Sequence, residues 1–144
     1  MSYTNLNYHI VFSTKNHAPF LDETEMNRLF EYIGGIIKNM KATLLLVGGT
    51  TDHIHIAVRL HPELSITEFV RTVKTNASKW VHDTLSEKFS WQEGYSAFSV
   101  SQSIVGKVIE YIRGQKEHHR KLSFKEELKS FLEKHHIEYD EKYL

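Results

Sequence analysis

The spacing of apolar residues limits the possible folds of this chain most strongly, because it switches repeatedly between the periods of strands and helices. Between Leu6 and Thr14, apolar and polar side chains alternate, which predicts a strand. After Asp22, apolar residues recur every three or four positions to about Met40, which predicts a helix capped by Asp22. The same patterns predict strands at 42–47, 52–60 and 94–100, and helices at 65–85, from 101 or 103 to about 119, and at 123–136.

The resulting order, β-α-β-β-α-β-α-α, favours an α+β fold. Its first six elements match the ferredoxin-like split β-α-β arrangement, in which an antiparallel sheet carries helices on one face. The last two helices follow as a C-terminal addition. The chain has 144 residues with two prolines, and we find no repeat or linker in it, so we expect residues 1–144 to form a single domain.

Composition bears on the compartment in which the chain works. Cysteine is absent, which excludes disulfides and thiolate metal sites and fits a reducing environment. The first residues lack the basic and apolar segments of a signal peptide, and no apolar run reaches the roughly 18 residues of a membrane span. We therefore expect a cytoplasmic protein without a membrane partner.

Net charge gives no support to nucleic-acid binding, because 18 basic and 18 acidic side chains cancel. The distribution is less even. Residues 104–125 carry six basic side chains (Lys107, Arg113, Lys116, Arg120, Lys121 and Lys125) against two acidic ones (Glu110 and Glu117). This local surplus fits a nucleic-acid contact and equally a solvated helix face.

Two histidines lie in the predicted strand at 52–60, within the segment Asp52-His53-Ile54-His55-Ile56. Because side chains alternate along a strand, His53 and His55 point to one face while the aliphatic residues between them point to the core. Both imidazoles can then reach one cation. Two solvated histidines on a polar strand face produce the same pattern, so the strand alone leaves both interpretations open.

A tyrosine and a glutamine share one flank of the predicted third helix. Apolar residues at 105, 108, 109 and 112 mark the side that faces the core. Tyr111 and Gln115 are four residues apart, so they lie one turn apart beside that stripe. The border of core and solvent suits an active site, and it also suits an ordinary tyrosine whose hydroxyl meets water.

Three segments carry a resemblance when they are taken together. The first is Tyr8–Lys15, the second is Asp52–Ile56, and the third runs from Trp91 to Ser101 and resumes from Val108 to Gln115. Together they resemble the single-tyrosine HUH transposases of the insertion sequence 200/605 type, including relatives associated with repetitive extragenic palindromes. With their spacing, the segments cover nearly the whole chain.

The resemblance implies a role for four residues: His53, His55 and Gln115 as metal ligands, and Tyr111 as the nucleophile. It implies an endonuclease and strand transferase that acts on single-stranded DNA at mobile-element ends, with a hairpin as recognition element and Mg²⁺ or Mn²⁺ as cofactor. It also implies a homodimer in which the histidines of one subunit meet the tyrosine helix of the other. The expected setting is the bacterial or archaeal cytoplasm, in association with the nucleoid.

This chemistry has a physical rationale. A free tyrosine has a pKa near 10 and is a poor nucleophile at neutral pH, and the phosphodiester repels its anion. A divalent cation withdraws charge from the phosphate and orients it. Two neutral imidazoles and one neutral amide leave the full double charge of the ion available to act on the phosphate. Because imidazole is not the preferred ligand of Mg²⁺, we expect modest affinity, with Mn²⁺ binding better than Mg²⁺.

Basic side chains are candidates for phosphate contacts: Lys15, Lys74, Lys79, Arg113, Arg120 and Lys121. Two other functions remain open on the sequence. One is a non-catalytic ferredoxin-like dimer that binds hairpin DNA or RNA, in which Tyr111 and Gln115 are incidental. The other is a zinc hydrolase that uses His53 and His55, for which the strand supplies neither a third strong ligand nor a general base.

Overall fold

A computed structural model of the chain describes residues 1–118 and 122–144. Nine strands and helices of the described residues position the candidate site. In chain order they are β1 (Asn7–Ser13), α1 (Glu23–Lys38), β2 (Ala42–Gly49), β3 (His53–Leu60), α2 (Ile66–Thr84), β4 (Ser96–Val100), α3 (Val105–Arg113), α4 (Gln115–His118) and α5 (Phe124–Lys134).

The four strands form one sheet in the order β2-β3-β1-β4. Each neighbouring pair is antiparallel. This is the strand order of the ferredoxin-like split β-α-β arrangement, and the predicted α+β fold class is confirmed.

Helices cover both faces of the sheet. On one face, α1 and α2 bury the larger core, in which Ile54 and Ile56 of β3 take part. On the other face, α5 packs three apolar side chains against Val11 and Phe98: Phe124, Leu128 and Leu132. The C-terminal helices therefore close the sheet face toward which His53 and His55 point.

Side-chain caps start three of the helices. Asp22 accepts from the backbone N–H of Glu25, and the Glu25 carboxylate in turn accepts from the Asp22 N–H. Ser123 and Glu126 form the same reciprocal box at α5, and Ser65 caps α2. The Asp22 cap is predicted from the sequence, and each of the three caps satisfies N–H groups that have no partner within the helix. No helix in the described ranges is long and apolar enough to cross a membrane.

The third helix differs from its prediction. The pattern indicates one helix to about residue 119, whereas α3 ends at Arg113 and α4 begins at Gln115, with Gly114 between them. Glycine favours such breaks because it loses the most backbone freedom in a helix. Tyr111 and Gln115 therefore stand on two short helices, and the break between them sets their relative orientation.

Candidate active site

His53 and His55 are fully buried, each with 0% of its surface exposed. The alternation along β3 places them on the face that α3 and α5 cover. The interpretation as solvated histidines on a polar strand face is therefore wrong, because the C-terminal helices remove that face from water. Buried polar groups need partners, and both rings have them.

The ring of His53 is held at both nitrogens. Its Nδ1 lies 2.7 Å from Asp52 Oδ1, and Thr50 supports the same carboxylate oxygen with a 3.0 Å hydrogen bond. Its Nε2 lies 2.8 Å from Gln115 Oε1. Phe124 stacks on the ring with a centroid separation of 4.5 Å, which fixes its plane.

The ring of His55 is held by two other residues. Its Nδ1 lies 2.7 Å from Nε2 of His9, a buried residue on the neighbouring strand β1. Its Nε2 lies 3.0 Å from Glu127 Oε1. Both candidate ligands thus turn Nε2 toward the same point, while a neighbour occupies Nδ1.

Glu127 of α5 lies at the centre of the site and has 1% of its surface exposed. Its Oε1 is 3.7 Å from His53 Nε2, and its Oε2 accepts hydrogen bonds from Gln115 Nε2 at 3.1 Å and from the Tyr111 hydroxyl. Glu127 is not among the site residues predicted from the sequence. A signal existed, since Glu127 lies three positions after Phe124 and four before Phe131, inside the apolar stripe of an amphipathic helix.

His53, His55 and Glu127 form a group that could hold a metal ion, because their ligand atoms lie within 4.8 Å of one another. The donors fit Mg²⁺ or Mn²⁺: a carboxylate suits both ions, and imidazole suits Mn²⁺ better. The sequence predicts an entirely neutral ligand set, whereas this candidate group also contains the negatively charged carboxylate of Glu127. An anionic ligand favours tighter cation binding than two imidazoles and an amide.

Tyr111 reaches this group from α3 and is half-buried. Burial, together with the hydrogen bond to Glu127 and the charge of that carboxylate, raises its pKa well above the ordinary tyrosine value. The hydroxyl therefore keeps its proton and donates a hydrogen bond to Glu127 Oε2. One chain alone brings Tyr111 and both histidines together, so the structure joins them without a partner subunit.

Gly48 of β2 lets α3 approach the sheet closely. It faces His55 in the strand register. A Cβ atom at this position would lie 3.0 Å from Ile112 Cγ2 and 3.4 Å from the Ile112 carbonyl oxygen. The missing side chain thus sets how near the residue after Tyr111 can come to the histidine strand.

The basic side chains predicted to contact DNA have different surroundings. Lys15 and Arg113 are exposed; Lys15 follows the end of β1 where Ser13 pairs with His53, and Arg113 ends α3. Lys79 is exposed on α2, which covers the opposite sheet face.

Lys74, also on α2, donates to the carbonyl oxygens of Gln92, at 2.9 Å, and Gly94. Burial lowers its pKa. Arg120 and Lys121 lie outside the described residues.

Comparisons with solved structures agree with this fold. The solved structure of a candidate transposase from Deinococcus radiodurans R1 is similar, with a TM-score of 0.65, 19% identity, and coverage of 79% of this chain and 93% of that one. A REP-associated tyrosine transposase bound to a REP hairpin has a TM-score of 0.63 and 14% identity, with 83% of this chain and 72% of that one covered. At these identities the likeness shows the fold.

A comparison with curated protein sequences gives no match. Residues 2–115 match the family described as "Transposase IS200 like", and that segment includes β1, both histidines, Tyr111 and Gln115. This match spans most of the chain and agrees with the resemblance found in the sequence. The chain belongs to the IS200-like transposase family.

Proposed function

We propose that this protein cleaves and rejoins single-stranded DNA at the ends of a mobile element, with Tyr111 as the nucleophile and a divalent ion, Mg²⁺ or Mn²⁺, as cofactor. One observation carries the proposal. The Tyr111 hydroxyl donates to the same carboxylate that faces both buried imidazoles, so a nucleophile and a candidate metal group share Glu127 as a common partner.

Four side chains would hold the ion: His53 and His55 through Nε2, Glu127 through its carboxylate, and Gln115 through Oε1. Asp52 and His9 occupy the Nδ1 atoms of the two rings, which leaves Nε2 of each ring for the ligand role. A bound divalent ion supplies charge withdrawal from the scissile phosphate and orientation for in-line attack.

The covalent step belongs to Tyr111. Its Oη forms a bond to phosphorus, the bond from phosphorus to the 3′ oxygen breaks, and the released 3′ oxygen takes up a proton. The hydroxyl proton of Tyr111 already lies on a hydrogen bond to Glu127 Oε2, which is the group placed to receive it. The 5′-phosphotyrosine link conserves the phosphodiester bond, so rejoining to a second 3′-hydroxyl needs no ATP.

The partner is single-stranded DNA with a hairpin at the element end. The REP-associated tyrosine transposase of similar fold is bound to a REP hairpin, which supports this substrate class. Phosphate contacts are proposed for Lys15 and Arg113, because both are exposed and lie on elements next to the site. The proposal extends to Lys74, Lys79, Arg120 and Lys121, and to a homodimer with active sites shared between subunits.

A denaturing gel tests the nucleophile directly. Purified protein is incubated with pooled single-stranded hairpins and Mn²⁺, and a covalent protein–DNA adduct is expected. Tyr111→Phe should lose the adduct yet still shift hairpin DNA in a native gel. Tyr32→Phe is the matched control, since this part-buried tyrosine stacks on Trp80 of α2 and lies away from the histidines.

Two outcomes would contradict the proposal. One is an adduct formed equally by the Tyr111→Phe variant, which would place the nucleophile elsewhere. The other is an adduct that persists in EDTA and in a His53→Ala variant, which would remove the metal group from the reaction. If the protein binds hairpins and never forms an adduct, the non-catalytic binding module is the better description.

A further inference from the structure

His9 is a buried histidine to which the proposed reaction assigns no direct role. It lies in the central strand β1 with 3% of its surface exposed. In the register of β1 and β3, Val11 faces His55 and His9 faces Ala57, so His9 stands diagonally beside His55 on the site face. Its contacts with Phe131 and Phe98 are aromatic, with centroid separations of 5.1 and 6.1 Å.

The rings of His9 and His55 meet edge to edge. Nε2 of His9 lies 2.7 Å from Nδ1 of His55, the ring centroids are 4.9 Å apart, and the ring planes are inclined by 27°. The nitrogen separation and the two ring radii together account for the centroid separation. This is the in-plane geometry of an N–H···N hydrogen bond, in which one nitrogen donates and the other accepts.

Only one proton arrangement of this pair is compatible with metal binding by His55. A ligating Nε2 must offer its lone pair, so the proton of the neutral His55 ring has to sit on Nδ1. His9 Nε2 must then accept a hydrogen bond from that N–H, and the ring proton of His9 sits on its Nδ1. In the reverse arrangement His9 donates, and His55 Nε2 carries the proton and is blocked.

We propose that His9 is a positioning residue for the metal centre: it accepts a hydrogen bond from His55 Nδ1–H and thereby keeps the lone pair of His55 Nε2 directed at the ion. Asp52 performs the matching task for His53, with a carboxylate as acceptor. The two histidine ligands are thus fixed by different neighbours, one charged and one neutral. The inference rests on the proposed function, because it requires an ion at His55 Nε2.

The test measures Mn²⁺ binding by electron paramagnetic resonance and does not depend on DNA cleavage. His9→Leu removes the acceptor and should weaken Mn²⁺ binding by about 10- to 100-fold, the usual effect of losing an outer-shell partner. His9→Gln places an amide oxygen near the former Nε2 and should restore binding to within a few-fold of the original protein. His82→Gln, on α2, should leave binding unchanged.

A second measurement needs no substitution. In ¹⁵N-histidine-labelled protein loaded with Mg²⁺, long-range ¹H–¹⁵N spectra should place the His55 proton on Nδ1 and the His9 proton on its own Nδ1. Thermal unfolding in EDTA identifies any variant that has lost its fold. If a His9 variant does not fold, the proton positions in the labelled original protein test the role of His9 on their own.

The outcomes separate this inference from the proposed function. If His53→Ala abolishes Mn²⁺ binding while His9→Leu binds like the original protein, the role of His9 is wrong and the metal centre stands. If His9→Gln loses as much affinity as His9→Leu, the acceptor is not what matters and the inference also fails. If no histidine variant changes Mn²⁺ binding, the metal centre itself is wrong, and this inference falls with it.

Discussion

Gly48→Val is expected to separate Tyr111 from the histidine strand. The first added carbon would lie 3.0 Å from Ile112 Cγ2, closer than ordinary carbon contacts, and the two further methyl groups of valine need space in the same gap. The carbonyl oxygen of Ile112 lies 3.4 Å from the same carbon, which is already van der Waals contact, so the backbone of α3 leaves no room for the two further methyl groups even if the Ile112 side chain rotates away. The helix must therefore move away from β2, and Tyr111 moves with it.

The size of the effect follows from this overlap. Overpacking of a close contact costs about 1–3 kcal/mol, so we expect Gly48→Val to lower the free energy of unfolding by about 2 kcal/mol. For a chain of this length, that corresponds to a fall in Tm of roughly 4–8 °C. A displacement of the nucleophile on the order of 1 Å should lower the rate of adduct formation by about 100-fold.

Thermal unfolding and the single-turnover rate of adduct formation measure the two effects, at a temperature where every variant is folded. Gly48→Ala needs a shift of only a few tenths of an ångström and should fall between Gly48→Val and the original protein. Gly35→Ala in α1 is the control, because an added Cβ meets no atom within 4 Å there. An unchanged Tm and rate in Gly48→Val would refute the packing of α3 on β2. A lower Tm with an unchanged rate would refute the link between helix position and chemistry.

Three further predictions concern the site. Glu127→Gln should weaken Mn²⁺ binding, measured by isothermal titration calorimetry, by at least about 10- to 100-fold. That is the usual loss for a residue that only supports a ligand, whereas Glu127 is proposed to bind the ion directly through an anionic oxygen. Burial, and secondarily the neighbouring His55, lowers the pKa of His9 to about 3, so below its ordinary pKa of 6.5 the unfolded chain binds a proton that the folded chain does not. Stability should therefore fall as the pH drops from 6.5 toward 3, by up to about 1.4 kcal/mol per pH unit, and urea unfolding of His9→Gln should show a shallower dependence. Mixing Tyr111→Phe with His53→Ala should restore adduct formation on the gel only if the two halves of the site come from different subunits.

Most of the fold is predictable from local patterns. Alternation in β1 and β3, the capping boxes at Asp22 and Ser123, and the order of elements are all short-range signals, and the structure follows them. The break at Gly114 is harder to predict, because Gln115, Lys116 and Glu117 after it are good helix formers and a single glycine does not by itself end a helix. Packing of α3 against Gly48, a contact distant in sequence, accompanies that break.

The site residues also fall into those that local patterns predict and those that depend on contacts distant in sequence. His53 and His55 share a strand and Tyr111 and Gln115 are one turn apart, so spacing alone pairs the members of each set. Glu127 and His9 belong to neither segment. The helical spacing of α5 places Glu127 within an apolar stripe, which indicates burial. Both residues nevertheless reach the site only because α5 folds over the sheet and β1 pairs with β3, and no local spacing records those tertiary contacts. Burial of the histidines depends on the same two contacts.

The position of Glu127 constrains any exchange of the tyrosine helix between subunits. If α3 alone crosses to a partner, the hydrogen bond from Tyr111 to Glu127 becomes a contact between chains, while α5 stays on its own sheet. If α5 crosses as well, Phe124, Leu128 and Leu132 must find Val11 and Phe98 of the other sheet, and a symmetric exchange supplies those same residues. Both forms restore cleavage in the mixture of Tyr111→Phe with His53→Ala, but a mixture of Tyr111→Phe with Glu127→Gln distinguishes them. Rescue in that second mixture requires that Tyr111 and Glu127 of the working site come from different chains, which only the exchange of α3 alone provides.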